Sequence, residues 1–253
     1  MLTIDLNCDM GEGMPHDAAL MSLISSANIA CDGHAGDSDT MRRTIELALK
    51  FNVAIGAHPS YPDRENFGRK DLIGLSLRRG DIPAIITEQI LQLKKICLEF
   101  GTSLHHIKLH GALYNLAASD IEISALVCAA VKKIDPLLML YGLSGSKMKS
   151  EAAICGLKFV SEVFADRTYQ EGGSLTPRSQ PHALIENKRK AMEQVLSLVK
   201  KGFVTSIGGV HIPVQTETIC LHSDGRKAVD FACLISETFK AENIKIGAPE
   251  WPK

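Results

Sequence analysis

The chain has 253 residues, of which 45% are hydrophobic and 23% charged, and its formal net charge at pH 7 is −1. This length allows one barrel or doubly wound unit, or two small domains, and the balanced charge does not favour a nucleic-acid or anionic-membrane partner. Acidic Asp5, Asp9 and Glu12 stand where a secretion signal needs an apolar stretch, and no uncharged run reaches the roughly 18–20 residues that span a bilayer. We therefore expect a cytoplasmic protein without a membrane partner.

Short apolar runs alternate with stretches of helical spacing along the chain. The predicted strands are Leu2–Cys8, Ala27–Cys31, Val53–Ala57, His105–Leu109, Leu137–Tyr141, Leu157–Val163 and Thr218–His222. The clearest helix is predicted over Ile82–Phe100, where apolar residues, Leu91 among them, recur at spacings of three and four. Alternation without a break in composition predicts an α/β fold, a parallel sheet closed into one β/α barrel over residues 1–253.

The cysteines point to no metal or redox motif. They are seven in number and widely scattered, and no two of them form a CxxC pair. Most lie in apolar stretches, so we expect reduced cysteines that pack in the core.

Acidic residues and histidines recur where the predicted strands end. The set comprises Asp9, Glu12, His34, Asp37, His58, His110, Glu162, Asp166, His222 and Asp224. In parallel β/α folds the loops at the carboxyl ends of the strands converge, and ligands bind there. The sequence therefore predicts one site at that edge.

The first strand carries polar residues at every second position. Its period places Asp5, Asn7 and Asp9 on one face and the apolar Leu6 and Cys8 on the other. Polar groups inside a barrel are costly unless they bind a ligand or each other, and both interpretations remain open here.

The next two strands are followed by single histidines. His34 lies on a glycine-containing turn, where it can take or give a proton near neutral pH, and Asp37 is either the N-cap of the following helix or a catalytic group. His58 precedes Pro59 and is therefore held extended. Arg69, in the loop that follows, could clamp a substrate carboxylate.

The fourth strand places His106, Lys108 and His110 on one face, and we assign His105 to packing or to the surface. A lysine that points into a barrel needs an anion, so Lys108 is predicted to stabilise an oxyanion or a carboxylate. On sequence grounds Lys108→Met should keep a near-native melting temperature and lose roughly 10²–10³ in turnover.

The segment after the sixth strand contains two acids and two arginines. Glu162, Asp166, Arg167 and Arg178 surround a Gly172–Gly173 turn. They form either a substrate-positioning loop or pairs between loop neighbours.

Several motifs do not occur. There is no GxxxxGK[ST] phosphate loop, no GxGxxG after a strand, no HExxH and no GxSxG. Nucleotide binding by this chain alone is therefore not supported.

Taken together, these blocks resemble the LamB/YcsF family of lactam-utilisation proteins, the family of 5-oxoprolinase A subunits. The segments that carry the resemblance are Asp5–Glu12, Ser26–Asp37, Gly56–Asp63, Phe67–Arg69, His106–Asn115, Glu162–Tyr169 and Ile219–Asp224. The resemblance implies a distorted seven-stranded β/α barrel of the glycoside hydrolase/deacetylase type. It also implies ATP-dependent opening of 5-oxoproline (pyroglutamate) to glutamate. In that scheme partner subunits B and C phosphorylate the lactam, and ATP with Mg²⁺ is bound mainly through them.

The family pattern also suggests which residues act. The catalytic candidates are Asp9, Glu12, His34, His58, Lys108 and His110. The substrate-binding candidates are Asn7, Asn28, Arg69, Tyr114, Asn115, Glu162, Asp166 and Arg178. Asp9 or His34 is the expected base, with Lys108 and His110 stabilising an oxyanion or phosphate.

This chain departs from the family pattern at three positions. Family members usually read Cys-Gly-Phe-His at Cys31–His34, Lys-Pro-His-Gly at Lys108–Gly111 and His-Gly-Asp at His222–Asp224. Here the central residues are Asp32 and Gly33, then Leu109, then Ser223. Asp32 adds a charge beside the predicted site.

Two alternatives remain open. The first is a metal-dependent deacetylase, or another amide or carbohydrate hydrolase, in which Asp9, His34, His58 and His110 form a nitrogen and oxygen site for zinc or a similar ion. The second is a sugar- or amino-acid-binding module that performs no chemistry. Metal content and turnover distinguish these alternatives from a lactam hydrolase.

Overall fold

Seven parallel strands close into a barrel in this computed structural model, which describes residues 1–222 and 228–250. Asp224, one of the predicted strand-end acids, lies outside the described residues. The strands are β1 (Leu2–Met10), β2 (Ser26–Ala30), β3 (Ala54–His58), β4 (His106–Lys108), β5 (Met139–Leu143), β6 (Phe159–Phe164), β7 (Phe203–Thr205), β8 (His211–Pro213), β9 (Thr218–Leu221) and β10 (Ile244–Ile246). The barrel is formed by β1 to β6 followed by β9, and β9 pairs with β1 to close it.

Helices connect most of the barrel strands and pack outside them. They are α1 (Asp17–Met21), α2 (Ser38–Phe51), α3 (Ile82–Glu99), α4 (Gly111–Ser119), α5 (Ile121–Ile134), α6 (Lys147–Cys155), α7 (Lys188–Leu196) and α8 (Ala228–Ala241). A 3-10 turn precedes α3 and a π-helical turn follows α7. Within the described ranges, no one helix is both long and apolar enough to cross a membrane; α4 and α5 reach that standard only when joined across a 113° bend.

The α/β barrel predicted from the sequence is confirmed. Each of the seven predicted strands overlaps an observed barrel strand, and the predicted helix over Ile82–Phe100 corresponds to α3. Leu91 does not belong to the buried stripe of α3, because its side chain is 48% exposed. The β7–β8 hairpin and β10 were not predicted, since each of these strands has only three residues.

The alternation of side chains along β1 decides what fills the barrel. Leu6, Cys8 and Met10 are fully buried in the apolar core, while Asp5, Asn7 and Asp9 bond to groups on neighbouring barrel strands. The barrel interior is therefore polar, and the apolar core lies between the sheet and the helices.

A glycine on β3 makes room for one of the interior rings. A Cβ atom at Gly56 would lie 2.1 Å from Nε2 of His106, so only glycine leaves space for that imidazole. The ring of His106 stacks on Tyr141, with 4.0 Å between centroids, and its Nε2 donates to Oδ1 of Asn28 at 2.8 Å. His106 is thus part of the barrel filling and lies below the site.

The cysteines are free, as expected from their spacing. Cys155 and Cys233 are half-buried, and the other five are buried.

Candidate functional site

A cavity of about 720 Å³ opens at the carboxyl ends of the barrel strands. Its charged and imidazole-bearing lining residues are Asp9, Glu12, His58, Arg69, Asp71, Lys108, His110, Arg167, Arg178 and His222. This volume is within the usual range for a pocket that holds a small molecule. Most of these residues follow directly on barrel strands, so the fold itself brings them together.

A buried lysine between two carboxylates forms the bottom of the cavity. Nζ of Lys108 lies 2.9 Å from Oδ1 of Asp9 and 3.0 Å from Oε1 of Glu162. Burial opposes the charge of Lys108, but the carboxylates outweigh it and raise the pKa of Lys108 well above its usual value. Burial likewise opposes the ionised form of Asp9, and His58 and Lys108 nevertheless hold the pKa of Asp9 well below its usual range.

The ammonium group of Lys108 donates its hydrogen atoms to other side chains of this protein. Besides the two carboxylates, it lies 3.2 Å from Oδ1 of Asn7 and 3.0 Å from Sγ of Cys220. An ammonium has three donors, so these acceptors occupy all of them. The sequence correctly predicted that Lys108 points inward, but its principal contacts are with side chains of the chain itself.

Two asparagines hold this arrangement in place from beneath. Nδ2 of Asn28 donates to Oδ1 of Asn7 and to Oδ1 of Asp9, both at 2.8 Å. Nδ2 of Asn7 donates to Oε1 of Glu162 at 2.9 Å. Asp9, Lys108, Glu162, Asn7 and Asn28 are called the floor network below. Contacts of Asn7, Asn28 and Glu162 with a substrate stay predictions; in the structure they position Asp9 and Lys108.

Four side chains converge at one side of the cavity, and Glu12, His34, His58 and His110 are called the rim cluster below. Nε2 of His34 lies 2.8 Å from Oε1 of Glu12, and Nδ1 of His110 lies 2.9 Å from Nε2 of His58. The rings of His34 and His110 stack with 3.6 Å between centroids. One ligand atom from each of the four residues lies within 4.8 Å of the others, so together they could hold a metal ion.

Burial favours the uncharged form of two of these imidazoles, His34 and His110. It lowers the pKa of His34, and burial together with the neighbouring imidazoles lowers the pKa of His110 well below its usual value. Neutral imidazoles retain a lone pair, which makes them ligands or proton acceptors.

A glycine turn brings Glu12 to the rim cluster. Gly11 and Gly13, on either side of it, have φ values of +73° and +82°, in the left-handed region that favours glycine. The backbone N–H of Gly11 donates to Oδ2 of Asp17 at 2.8 Å, which fixes the turn against α1. The carboxylate of Glu12 thereby lies against His34 and His110.

Arginines line the cavity beyond the floor network. Arg69 is exposed and stacks over Phe67, with its guanidinium carbon 4.8 Å from the ring centroid, and Arg178 is half-buried. Arg167 is buried and donates to the carbonyl oxygens of Thr176 and Ala183. Burial lowers the pKa of Arg167, and within 1–222 and 228–250 no carboxylate forms an ion pair with it.

The remaining candidates have separate positions. Tyr114 is buried and its hydroxyl donates to Oε2 of Glu162 at 2.7 Å, whereas Asn115 is exposed at the cavity edge. Asp166 bonds to Nδ1 of His222 at 2.9 Å. Asp37 accepts from the backbone N–H of Thr40 at 2.7 Å and is the N-cap of α2.

The charge added by Asp32 does not enter the cavity. Asp32 is exposed, with φ of +68°, and its carboxylate pairs with Arg64 on the surface. His105 is half-buried and bonds to the carbonyl oxygen of Pro249, in agreement with a packing role.

Three residues that the fold brings to the site were not among the catalytic or substrate-binding candidates, and Arg167 was named only as part of a possible substrate-positioning loop. Arg167 and His222 line the cavity, and Cys220 lies against the ammonium of Lys108. His222 was recognised as a strand-end residue, which was a usable signal. Cys220 follows the apolar pattern of a core cysteine, and nothing local distinguishes it.

The fold is a closed, seven-stranded parallel β/α barrel with an acid- and histidine-rich mouth. A catalytic-domain structure of a peptidoglycan N-acetylglucosamine deacetylase from Eubacterium rectale shares the fold, with a TM-score of 0.54, 12% identity, and coverage of 99% of this chain and 90% of that one. The chain belongs to the LamB/YcsF family, whose sequence profile matches residues 4–251.

Relatives within the family are similar over their full length. A Bacillus cereus protein, named as the A subunit of 5-oxoprolinase, is 44% identical over 256 residues, which cover 99% of this chain and 100% of the relative. The crystal structure of a lactam utilization protein from Thermus thermophilus has a TM-score of 0.90 and 34% identity, with 98% of this chain and 100% of that one covered.

Proposed function

We propose that this chain is a hydrolase that opens the cyclic amide of 5-oxoproline to give glutamate. We further propose that partner subunits B and C supply the ATP- and Mg²⁺-dependent phosphorylation of the lactam. The name of the full-length relatives supports the substrate. The observation that carries the chemistry is the carboxylate of Asp9, which lies at the bottom of the cavity and is held ionised by Lys108.

A lactam is a resonance-stabilised amide, so its hydrolysis needs an activated carbonyl carbon, an acceptor for the proton of water and a donor for the leaving nitrogen. In this proposal Asp9 accepts the proton. A carboxylate with a low pKa is a weak base, and water must therefore attack a carbon that has already been activated. Transfer of a phosphoryl group from ATP to the lactam oxygen, with release of ADP, supplies that activation.

Water then adds to the ring carbon, the ring carbon–nitrogen bond breaks, and the nitrogen gains a proton. A second water releases phosphate from the resulting acyl phosphate, which leaves glutamate. The absence of a phosphate-loop motif in the sequence agrees with phosphorylation by the partners.

The arginine side of the cavity suits the substrate carboxylate. The guanidinium of Arg167 is buried and bonds only to carbonyl oxygens among the described residues, so an incoming carboxylate would complete its charge pairing. Arg69 and Arg178 line the same cavity and are the other candidates for this contact.

The decisive experiment measures glutamate release from 5-oxoproline in the presence of ATP and Mg²⁺. We expect turnover when the chain is combined with its partner subunits, and none from the chain alone. We also expect negligible ATP hydrolysis by the isolated chain. Lactam-dependent ATP hydrolysis by the isolated chain would contradict the proposed division of labour.

The rim cluster favours one further candidate, a metal-dependent hydrolase of amides or N-acetylated sugars that acts without partners. Release of acetate from an N-acetylated substrate by the isolated chain, abolished by chelation, would support that candidate. Binding of 5-oxoproline without turnover in the complete mixture would instead indicate a binding module.

A further inference from the structure

Two imidazoles of the rim cluster have one nitrogen committed to a backbone carbonyl. Nδ1 of His58 lies 2.8 Å from the carbonyl oxygen of Lys108, and Nε2 of His110 lies 3.0 Å from that of Phe67. A carbonyl oxygen can only accept a hydrogen bond, so each of these nitrogens carries the ring hydrogen. The other nitrogen of each ring is then the one that can bind a cation through its lone pair.

The third imidazole is fixed in the same manner through a hydroxyl group. Nδ1 of His34 lies 2.9 Å from Oγ of Ser60, and that hydroxyl donates its own hydrogen to the carbonyl oxygen of Tyr61 at 2.8 Å. Ser60 must accept from His34, because a hydroxyl has a single hydrogen to donate. Nε2 of His34 therefore also has a lone pair.

One nitrogen from each of these three rings and one carboxylate oxygen lie within 4.8 Å of one another. Nδ1 of His110 lies 2.9 Å from Nε2 of His58 and 3.4 Å from Oε1 of Glu12. Nε2 of His34 lies 2.8 Å from the same oxygen of Glu12. Acceptors at these separations repel each other unless a cation lies among them.

We propose that Glu12, His34, His58 and His110 form a binding site for a divalent first-row transition metal, with Zn²⁺ as the representative ion. Three imidazoles and one carboxylate suit such ions far better than Mg²⁺ or Ca²⁺, which take oxygen ligands. A tetrahedral site with metal–nitrogen bonds of about 2.1 Å has ligand atoms roughly 3.3 Å apart, close to the separations within this cluster.

The groups behind the imidazoles strengthen this assignment. Histidine ligands in proteins usually donate their second ring hydrogen to a carbonyl or another fixed acceptor, which sets the tautomer and the ring orientation. Lys108, Phe67 and Ser60 supply such acceptors here. Each of the three imidazoles is therefore held in its orientation by a second group behind it.

The proposed ligand set differs from the one that the sequence suggested, which contained Asp9 in place of Glu12. Oδ1 of Asp9 already accepts from Asn28 and Lys108, and its Oδ2 lies 3.3 Å from Nε2 of His58. Glu12 thus takes the fourth ligand position, and Asp9 lies beside the metal. The metal extends the proposed function, but its binding does not depend on which reaction the chain performs.

The test uses the full chain, stripped of metal with a chelator and then titrated with Zn²⁺ or Co²⁺. We expect about one ion per chain by calorimetry and elemental analysis, an intense visible Co²⁺ spectrum typical of tetrahedral coordination, and a higher melting temperature with Zn²⁺. If the stripped chain binds neither ion, a proton shared among the imidazoles holds the cluster together, and the proposal is wrong.

Two ligand variants and one control complete the test. Glu12→Gln and His34→Gln should each weaken Zn²⁺ binding by at least about a hundredfold, the upper end of the loss seen when only a supporting group is removed. His105→Gln is the matched control, because Nδ1 of His105 also faces an imidazole, His106, at 3.0 Å, but no carboxylate joins that pair. The control should bind Zn²⁺ as the unmodified chain does.

Glu12 lies on a turn beyond the end of β1, and glutamine keeps the size of its side chain, so Glu12→Gln is expected to fold even if a histidine variant does not. Unchanged Zn²⁺ affinity in a folded Glu12→Gln protein would contradict the proposed ligand set. Metal binding without 5-oxoproline turnover in the complete mixture would contradict only the proposed function. Turnover by a chain that binds no metal would contradict only the metal site.

Discussion

The floor network and the rim cluster lie next to each other in one cavity, yet they differ in their hydrogen bonding. The floor network has a donor for its acceptors, whereas the rim cluster brings acceptors together. In the floor network, the ammonium of Lys108 lies between the carboxylates of Asp9 and Glu162, and the amides of Asn7 and Asn28 complete the bonding. In the rim cluster, three ring nitrogens and a carboxylate oxygen face one another, and the ring hydrogens all point outward.

The difference follows from where the residues come from. The floor residues lie on strands β1, β2, β4 and β6, whose inward faces meet across the barrel and bring each donor to an acceptor. In the rim cluster His58 is the last residue of β3, and Glu12, His34 and His110 lie beyond the ends of their strands, where side chains often bind a ligand. A buried polar network with matched donors and acceptors makes the fold rigid, whereas the facing acceptors of the rim cluster are the basis of the proposed metal site.

The largest effect is expected from Lys108→Met, which removes the only cation of the floor network. Two buried carboxylates lose their partner, so we expect a loss of about 3–5 kcal/mol in the free energy of unfolding. This revises the near-native stability that the sequence suggested. Turnover should fall as well, by roughly 10²–10³.

Chemical denaturation measures the stability of this variant, and Lys94→Met is its matched control. Lys94 also forms an ion pair, 3.0 Å from Asp135, but both side chains are about one-third exposed, so its loss should cost at most about 1 kcal/mol. Equal losses for the two variants would remove the distinction between the floor network and an ordinary surface pair.

Asp9→Asn tests whether the floor network also performs chemistry. The amide keeps the size of the side chain and leaves Glu162 paired with Lys108, so the protein should fold. Loss of the proton acceptor should lower glutamate release by at least about a hundredfold in the complete assay. Near-normal turnover would show that Asp9 has a structural role only.

Arg167→Gln examines the segment for which the sequence left open a substrate-positioning loop or pairs between loop neighbours. If Arg167 binds the substrate carboxylate, a charge-assisted hydrogen bond of about 1.5–3 kcal/mol is lost, and KM for 5-oxoproline should rise roughly 10- to 100-fold with a smaller change in kcat. Arg64→Gln removes a surface arginine that pairs with Asp32 and should leave KM unchanged. A fall in kcat with unchanged KM would instead assign Arg167 an interaction made only in the transition state.

The smallest effect concerns Asp37, which lies near the rim cluster in sequence but caps α2. Asp37→Ala should cost about 1 kcal/mol of stability, and Asp37→Asn close to nothing, because asparagine caps a helix as well as aspartate does. Both variants should release glutamate at the normal rate. Slow turnover by a stable Asp37→Asn protein would show that Asp37 contributes to the reaction as well as to the helix cap.

Much of this molecule could be predicted from local patterns. All seven barrel strands overlap their predictions, because strand period and apolar runs depend on neighbours in the sequence. The same period correctly placed Asp5, Asn7 and Asp9 inside the barrel. The gathering of Asp9, His58, Lys108 and His110 at one edge also followed, since parallel strands end on the same side of a sheet.

Tertiary structure alone decided which of these groups meet and in what state. That Lys108 lies between Asp9 and Glu162 depends on the closure of the barrel between β1 and β9, which no local pattern encodes. The tautomers of His58 and His110 are set by carbonyl groups of Lys108 and Phe67. Every residue has such a carbonyl, so only the folded chain shows which ones turn the imidazole lone pairs toward Glu12.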